Sequence, residues 1–248
     1  MRKTGIIHVH STLSYDGQHS LEEIADLARC RGYGFVGITE HSDTLNSEKV
    51  KELVQECERL SDHDLKLIPG IEFTCENNLH LIGLGVGEFA NSKDPLWLAA
   101  FIRDSGGMSI IAHPSRYNYQ IAESLTRVVN GIEVWNANYD GRFVPNDLSL
   151  KLWRERRREN QTLVATGGQD LHVITDHVHV TLAVDCEEWS SAAVIKAIRE
   201  GRFGISNTYC SVPPGDSMSK PKQMALAGAR YAYVGAKKLR QWLLPTRG

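Results

Sequence analysis

Short apolar, β-branched runs alternate along most of the chain with stretches whose apolar residues recur at helical spacing. Residues 5–10 read as a strand. Leu21, Ile24, Ala25, Leu27 and Ala28 then share one face of a helix that Ser20 caps and Gly32 ends. Residues 35–39 form the next strand candidate, and 47–60 an amphipathic helix with a charged outer face. Strands at 67–74 and 80–86 flank Glu76-Asn77-Asn78, a turn-like stretch. Pro95 opens a helix that Gly106-Gly107 closes. The pattern continues with a strand at 108–112, a helix at 121–129, a strand at 131–135 and a helix at 147–160. Strands at 163–166 and 178–184 and a helix at 190–200 complete it. This alternation predicts an α/β fold with a largely parallel sheet, either open or closed into a barrel. A chain of 248 residues fits one α/β barrel domain or two small domains.

Beyond Val212 the pattern changes. Pro213-Pro214-Gly215 leads into an Ala-, Gly- and Lys/Arg-rich segment with seven basic residues and one acidic residue, a net charge of +6. The remaining 21 basic and 29 acidic residues give −8, so the near-neutral total of −2 hides an acidic body and a basic tail. The expected division is a barrel domain over 1–212 and a basic, helical tail over 213–248, packed on the barrel or extending from it. Two readings of the tail stand: a terminal helix packed by Leu226, Tyr233, Leu239 and Trp242, or a surface that faces nucleic acid or another anion. The five Cys are scattered and contain no C-x-x-C pair, which argues against a disulfide framework or a thiolate zinc site. Neither a signal-peptide core nor an 18-residue apolar window is visible, so the expectation is a cytoplasmic enzyme without a membrane partner.

Ten His is the unusual count, and their positions matter. His8 and His10 end the first strand, with Asp16 just beyond. Glu40-His41 end the second and Glu72 ends the third. His80 opens the fourth, His113 ends the fifth, and Asp170 and His172 end the seventh. Imidazoles and carboxylates without thiolates suit Mn²⁺, Fe²⁺ and Zn²⁺. His8 and His10, two residues apart on a strand, share a face and can hold one ion; Asp170 and His172 repeat that spacing. In parallel α/β folds, sites are built at the carboxyl ends of the strands, where most of these groups fall. His177-Val178-His179 enters a strand instead and reads as packing or rim, His63 as a solvated loop residue, and Cys75 as a small buried apolar group.

These residues sit in motifs that resemble the PHP (polymerase and histidinol phosphatase) metal-dependent phosphoesterases: His8-Val9-His10-Ser11 with Ser14-Tyr15-Asp16-Gly17, Ile38-Thr39-Glu40-His41, Ile68-Pro69-Gly70-Ile71-Glu72, Ile111-Ala112-His113-Pro114 and Gly168-Gln169-Asp170-Leu171-His172. The resemblance implies a distorted (β/α)7 TIM-like barrel with a site for two to three divalent metal ions (Mn²⁺, Fe²⁺ or Zn²⁺). Carried over by position, one ion takes His8, His10, Glu72 and Asp170, a second takes Asp16, His41 and His113, and a third takes Glu72, His80 and His172, with Glu72 bridging. Glu40 stands where the family more often has Asp, at a position that need not be a ligand. His80 follows Glu72 by eight residues, whereas some relatives carry the matching His much farther on.

The activity so implied is hydrolysis of a phosphomonoester or phosphodiester by attack of a metal-bridging hydroxide. Asp170, His172 and His19 are candidate catalytic residues, His172 or His19 as the acid that protonates the leaving alkoxide. Arg116 and Arg142 are candidate substrate-binding residues, Arg116 because a guanidinium one turn from a ligand can grip a phosphate. A phosphorylated small molecule or nucleotide is the favoured substrate. The alternatives are a nuclease acting on oligonucleotide ends, which the basic tail supports, and a non-catalytic, metal-stabilised module.

Overall fold

A computed structural model gives the architecture, and it describes residues 1–213 and 219–243. Strand β1 (Arg2–Val9) leads to helix α1 (Leu21–Cys30). A reciprocal pair opens that helix: Glu23 N donates to Ser20 Oγ, and Ser20 N donates to the Glu23 carboxylate. Next, β2 (Phe35–Ile38) and β3 (Glu40–His41) form one extended run interrupted at Thr39, followed by α2 (Ser47–Leu60). The predicted strand at 67–74 divides into β4 (Lys66–Ile68) and β5 (Gly70–Thr74) at Pro69, which has no N–H for a ladder. Then come β6 (His80–Leu84), α3 (Pro95–Asp104), β7 (Met108–Ile111), α4 (Glu123–Thr126), β8 (Gly131–Asn136), α5 (Ala137–Asp140), α6 (Asp147–Arg157) and β9 (Val164–Gly168). The chain continues through β10 (Thr181–Asp185), α7 (Ser191–Arg199), β11 (Phe203–Ser206), β12 (Ser211–Val212) and α8 (Lys220–Leu243).

The strands form two sheets of mixed direction, ordered β12-β11-β10-β1-β2-β4 and β3-β5-β6-β7-β8-β9. Parallel pairs join β1–β2, β2–β4, β3–β5, β7–β8 and β8–β9. β6 runs against both β5 and β7, as a hairpin through Glu76–Asn78 requires, and β10 and β11 are antiparallel to their neighbours. The β2/β3 and β4/β5 runs pass from one sheet into the other. On the far side, Val9 bridges Leu171 in parallel, Gln169 N donates to Ile7 O, and His10 N donates to Leu171 O.

Two apolar clusters hold the helices down. Ile24, Ala25 and Ala28 of α1 and Leu53 and Cys57 of α2 pack on Ile6, Val9, Val36, Ile38 and Leu67. The larger cluster collects Ile7, Phe73, Ile82, Ile110 and Ile132 with Leu98 and Ile102 of α3, Trp153 of α6 and Ile198 of α7. Each such buried aliphatic or aromatic side chain contributes about 1.5–3 kcal/mol relative to exposure.

Local deviations from the sequence pattern have local causes. The 121–129 helix shrinks to α4, which lacks a side-chain cap and runs into β-branched Val128 and Val129. The 178–184 strand starts only at Thr181, because Gln169 Nε2 takes both Val178 O and Val180 O. Among the described residues, no helix is long and apolar enough to cross a membrane.

Candidate metal centre

The strand ends converge on Glu72. Glu72, expected at a strand end, sits in the middle of β5; its carboxylate is buried, and five imidazoles surround it. Oε1 lies 2.8 Å from His80 Nδ1 and 3.0 Å from His113 Nε2. Oε2 lies 3.4 Å from His8 Nε2, 3.4 Å from His10 Nε2 and 3.2 Å from His41 Nδ1. Asp170 Oδ1 closes one side, 3.4 Å from His8 Nε2 and 3.6 Å from His10 Nε2. Asp16 closes the other, with Oδ1 3.4 Å from His41 Nε2 and Oδ2 3.2 Å from His172 Nε2.

The strands deliver these groups through bent backbone. His8, His113 and Asp170 all have positive φ, at 65°, 30° and 51°. Residues other than Gly adopt that region at about 1–3 kcal/mol each, and such strain gathers at functional sites. At His8 the ladder between β1 and β2 shifts register between Ile7 and Val9. His8 is the residue left without a ladder partner there, and it is fully buried. Gly168 is required beside it: an added Cβ would stand 1.9 Å from Glu133 Oε1.

The site fits divalent cations on its donor atoms. His8 Nε2, His10 Nε2, both ring nitrogens of His41, Glu72 Oε2 and Asp16 Oδ1 are buried without a hydrogen-bond partner. Buried polar atoms are ordinarily paired, and here the unpaired ones face one another. Four donors about 2.0–2.2 Å from one tetrahedral ion stand about 3.4 Å apart, and His8 and His10 lie 3.4–3.6 Å from the Glu72 and Asp170 oxygens. Ligand-sized triads also form at His41, Glu72 and His80, at His10, His41 and His172, and at His8, His113 and Asp170.

The electrostatics treat the rings differently. Burial pushes His10 down to about 4 and lowers His41, which keeps both rings neutral and able to donate a lone pair. Burial opposes charge on His8 as well, but Glu133, Asp170 and Glu72 outweigh it and hold its pKa well above the usual value. Glu72 and Asp170 are held well below the carboxylate range against their own burial, chiefly by His8.

The model of the PHP domain family matches residues 7–201. The chain belongs to the PHP domain family. Among solved structures, it resembles a two-domain protein from Bacteroides vulgatus that contains a predicted PHP-like metal-dependent phosphoesterase, at 18% identity and a TM-score of 0.61. That match covers 84% of this chain but 65% of the Bacteroides chain. PsfC from Pseudomonas syringae aligns over 95% of this chain and 98% of its own, also at 18% identity and a TM-score of 0.61. The lesion-specific endonuclease PfuEndoQ from Pyrococcus furiosus matches at 16% identity and a TM-score of 0.56, over 82% of this chain and 56% of its own. No curated protein sequence matches the chain significantly.

In this PHP domain, two residues change places relative to the grouping the motifs implied. His113 joins Glu72 and His80, and His172 joins Asp16 and His41. Strand order explains it. β7 lies beside β6, so His113 lands next to His80. The segment after β9 crosses to β1, where Gln18 N donates to His172 O and brings that ring to Asp16. Glu40 faces away from the donors: it accepts from Ser11 N and Ser14 Oγ and so fixes the loop that carries Asp16. His19 pairs with Glu23 at 3.5 Å, its one ion pair among the described residues. Arg116 Nη1 is 3.5 Å from His80 Nδ1, and Arg142 lines a cavity beside Asp170 and His172.

Glu133 escaped the sequence reading. It is fully buried in β8, its Oε1 2.7 Å from His8 Nδ1, and its Oε2 accepts from His113 N at 2.9 Å and Asn136 Nδ2 at 3.0 Å. A lone carboxylate within the apolar run Ile132–Trp135 was the available signal. Tyr117 was missed as well; its oxygen accepts from His80 N at 2.7 Å and sits 3.1 Å from His113 Nδ1.

Proposed function

We propose that this PHP domain is a metal-dependent hydrolase of phosphoester bonds. The cluster of buried, unpaired donor atoms around Glu72 carries the reading. Nine residues would hold two to three Mn²⁺, Fe²⁺ or Zn²⁺ ions: His8, His10, Asp16, His41, Glu72, His80, His113, Asp170 and His172. The two sheets are read as a distorted (β/α)7 barrel whose seam is the β1–β9 contact, which puts these residues at one mouth. When bound, the ions would neutralise phosphoryl oxygens and acidify water.

The chain's own groups do the rest. Glu133 orients His8 and the His113 backbone, and Tyr117 orients His80 and His113. Arg116, beside His80, and Arg142, lining the cavity beside Asp170 and His172, would grip anionic oxygens of the substrate. His19, on the loop bonded through Gln18 to His172, would protonate the leaving oxygen. The substrate favoured is a phosphorylated small molecule or nucleotide. A nuclease is the second reading, supported by the likeness to PfuEndoQ. The tail supports it less than its charge suggests, because Lys222 is bonded to Ser211 O and Arg230 to Asp140 and Asp147. The side chains of the tail's other basic residues, and of Leu239 and Trp242, are outside what the structure describes.

A phosphoester panel including mononucleotides and a short oligonucleotide, run separately with Mn²⁺, Fe²⁺ and Zn²⁺, tests both readings alongside elemental analysis. Turnover that disappears in Asp170→Asn and His41→Ala, with two or three metal equivalents in the parent, is expected. One equivalent or none, or retained turnover in either variant, rejects the proposal.

A further inference from the structure

Helix α8 begins beyond the stretch that matches the family model, yet it is built into the metal centre. Leu226 is buried in the larger apolar cluster. One turn on, Arg230 Nε lies 2.9 Å from Asp147 Oδ1, Nη1 lies 3.6 Å from Asp140 Oδ1, and Nη2 donates to Tyr119 Oη at 3.2 Å. Asp140 is itself buried, and its other oxygen accepts from Asn136 N at 2.9 Å. Asn136 Nδ2 donates to Glu133 Oε2 at 3.0 Å and reaches Asp170 Oδ2 at 3.4 Å. Glu133 holds His8. A continuous polar chain therefore runs from α8 through Arg230, Asp140 and Asn136 to two residues assigned as ligands.

A second contact lies one turn farther along the same helix. The Tyr233 ring rests on Gly141, where an added Cβ would come within 3.0 Å of the tyrosine oxygen, and it packs near Phe143 with centroids 6.5 Å apart. A cavity of about 360 Å³ opens there, walled by Asn138, Arg142, Phe143, Asp170, His172 and Tyr233. One end of it is the metal centre. The rest of its lining includes two aromatic rings, the Asp176 carboxylate and a guanidinium that makes no ion pair among the described residues.

We propose that α8 completes the active site: Arg230 is a positioning residue for His8 and Asp170, and Tyr233 is a wall of the subsite for the alcohol portion of the phosphoester, which accepts an aryl or other planar group against Tyr233 and Phe143. The substrate half rests on the phosphoesterase reading; the Arg230 half does not. An aromatic face that packs on a planar group favours it over an alkyl group of the same charge, and a hydrogen-bonded partner behind a ligand sets metal affinity.

The test uses the full chain. Mn²⁺ titrations compare the parent with Arg230→Ala and Arg230→Lys, each checked for folding by circular dichroism. Arg230→Ala is expected to weaken Mn²⁺ binding by about tenfold, with Arg230→Lys recovering part of the loss. Calorimetric titration of the Mn²⁺-loaded parent and Tyr233→Ala with phenylphosphonate and methylphosphonate, which cannot be hydrolysed, reads the subsite. The parent prefers phenylphosphonate, and Tyr233→Ala reduces that preference by about 5–10-fold. Unchanged Mn²⁺ affinity in a folded Arg230→Ala protein, or no gain on lysine restoration, overturns the positioning role. A parent that binds neither phosphonate, or a preference that survives Tyr233→Ala, overturns the subsite. Absence of turnover on any phosphoester, with these binding results intact, would instead fault the assigned reaction.

Discussion

Replacing Glu133 by Gln removes one charge and almost no volume, so it isolates what the carboxylate does behind the metal centre. Three donors converge on it: His113 N and Asn136 Nδ2 on Oε2, and His8 Nδ1 on Oε1. A Gln side chain has one acceptor oxygen and one donor NH₂. Two of the three donors lie at the Oε2 position, so the carbonyl oxygen goes there and the NH₂ faces His8 Nδ1. His8 must then accept at Nδ1 and carry its proton on Nε2. Nε2 is the atom that points at Glu72 and Asp170, and a protonated nitrogen cannot bind a cation. The alternative amide orientation sets an NH₂ against two N–H donors in a fully buried site, which is worse. Groups in this position are worth about 10–100-fold in metal affinity, or about 1.4–2.7 kcal/mol. Competition against a chelating dye, with metal counted by elemental analysis and folding checked by circular dichroism, measures the effect. A folded Glu133→Gln protein that keeps the parent's metal affinity and stoichiometry would refute the tautomer argument.

Stripping metal with a chelator should lower Tm by about 5–10 °C, since saturation at about 100 times Kd adds about 2.7 kcal/mol and a chain of this size gains about 2–4 °C per kcal/mol; superimposable melting curves would contradict a ligand-bound cluster. Gly168→Ala drives a methyl group into Glu133 Oε1 and His8 Cβ and should destabilise the fold by about 1–3 kcal/mol in urea titrations, and a parental midpoint would count against that packing. His177 lies outside the cluster, hydrogen-bonded to Tyr33, and burial with help from Arg31 and His179 depresses it to about 4. The unfolded chain takes up that proton first, near pH 6.5, so the stability involved is full above pH 6.5 and fades as pH falls toward 4. Between pH 7 and 5 the parent should lose more urea resistance than His177→Gln; equal losses would remove His177 as the cause.

Most of the clustered positions were legible because their motifs carry a local signal, a His or acid closing an apolar run; Glu72, read as a strand end, lies within β5. The pairing of those residues was not legible. Whether His113 meets Asp16 or His80 depends on which strands are neighbours, and nothing between residues 108 and 113 encodes that β7 lies against β6. Helices with a cap and an amphipathic stripe, such as 21–30 and 47–60, were read to within a residue or two. Segments governed by a distant side chain were misjudged: Gln169 alone delays β10, and its carboxamide cannot be placed from sequence. Glu133 was visible as a charge within an apolar strand, but its meaning depends on His8, 125 residues away. The basic character of 213–248 hid the role of Arg230, which its inward salt bridges define and net charge does not.

The antiparallel course of β6 has a consequence for how such a site can diversify. His80 is the first residue of its strand, so the β5–β6 turn over Glu76–Asn78 hangs at the mouth, between two residues of the metal centre. Lengthening a loop is inexpensive, at about 0.6 kcal/mol per doubling, and the pairing from Thr74–His80 inward need not change. That turn is a grafting point: a segment of any size inserted there would become a canopy over the cluster without altering a single ligand. Here the connection between Thr74 and His80 is only five residues long, so it adds no such canopy of its own.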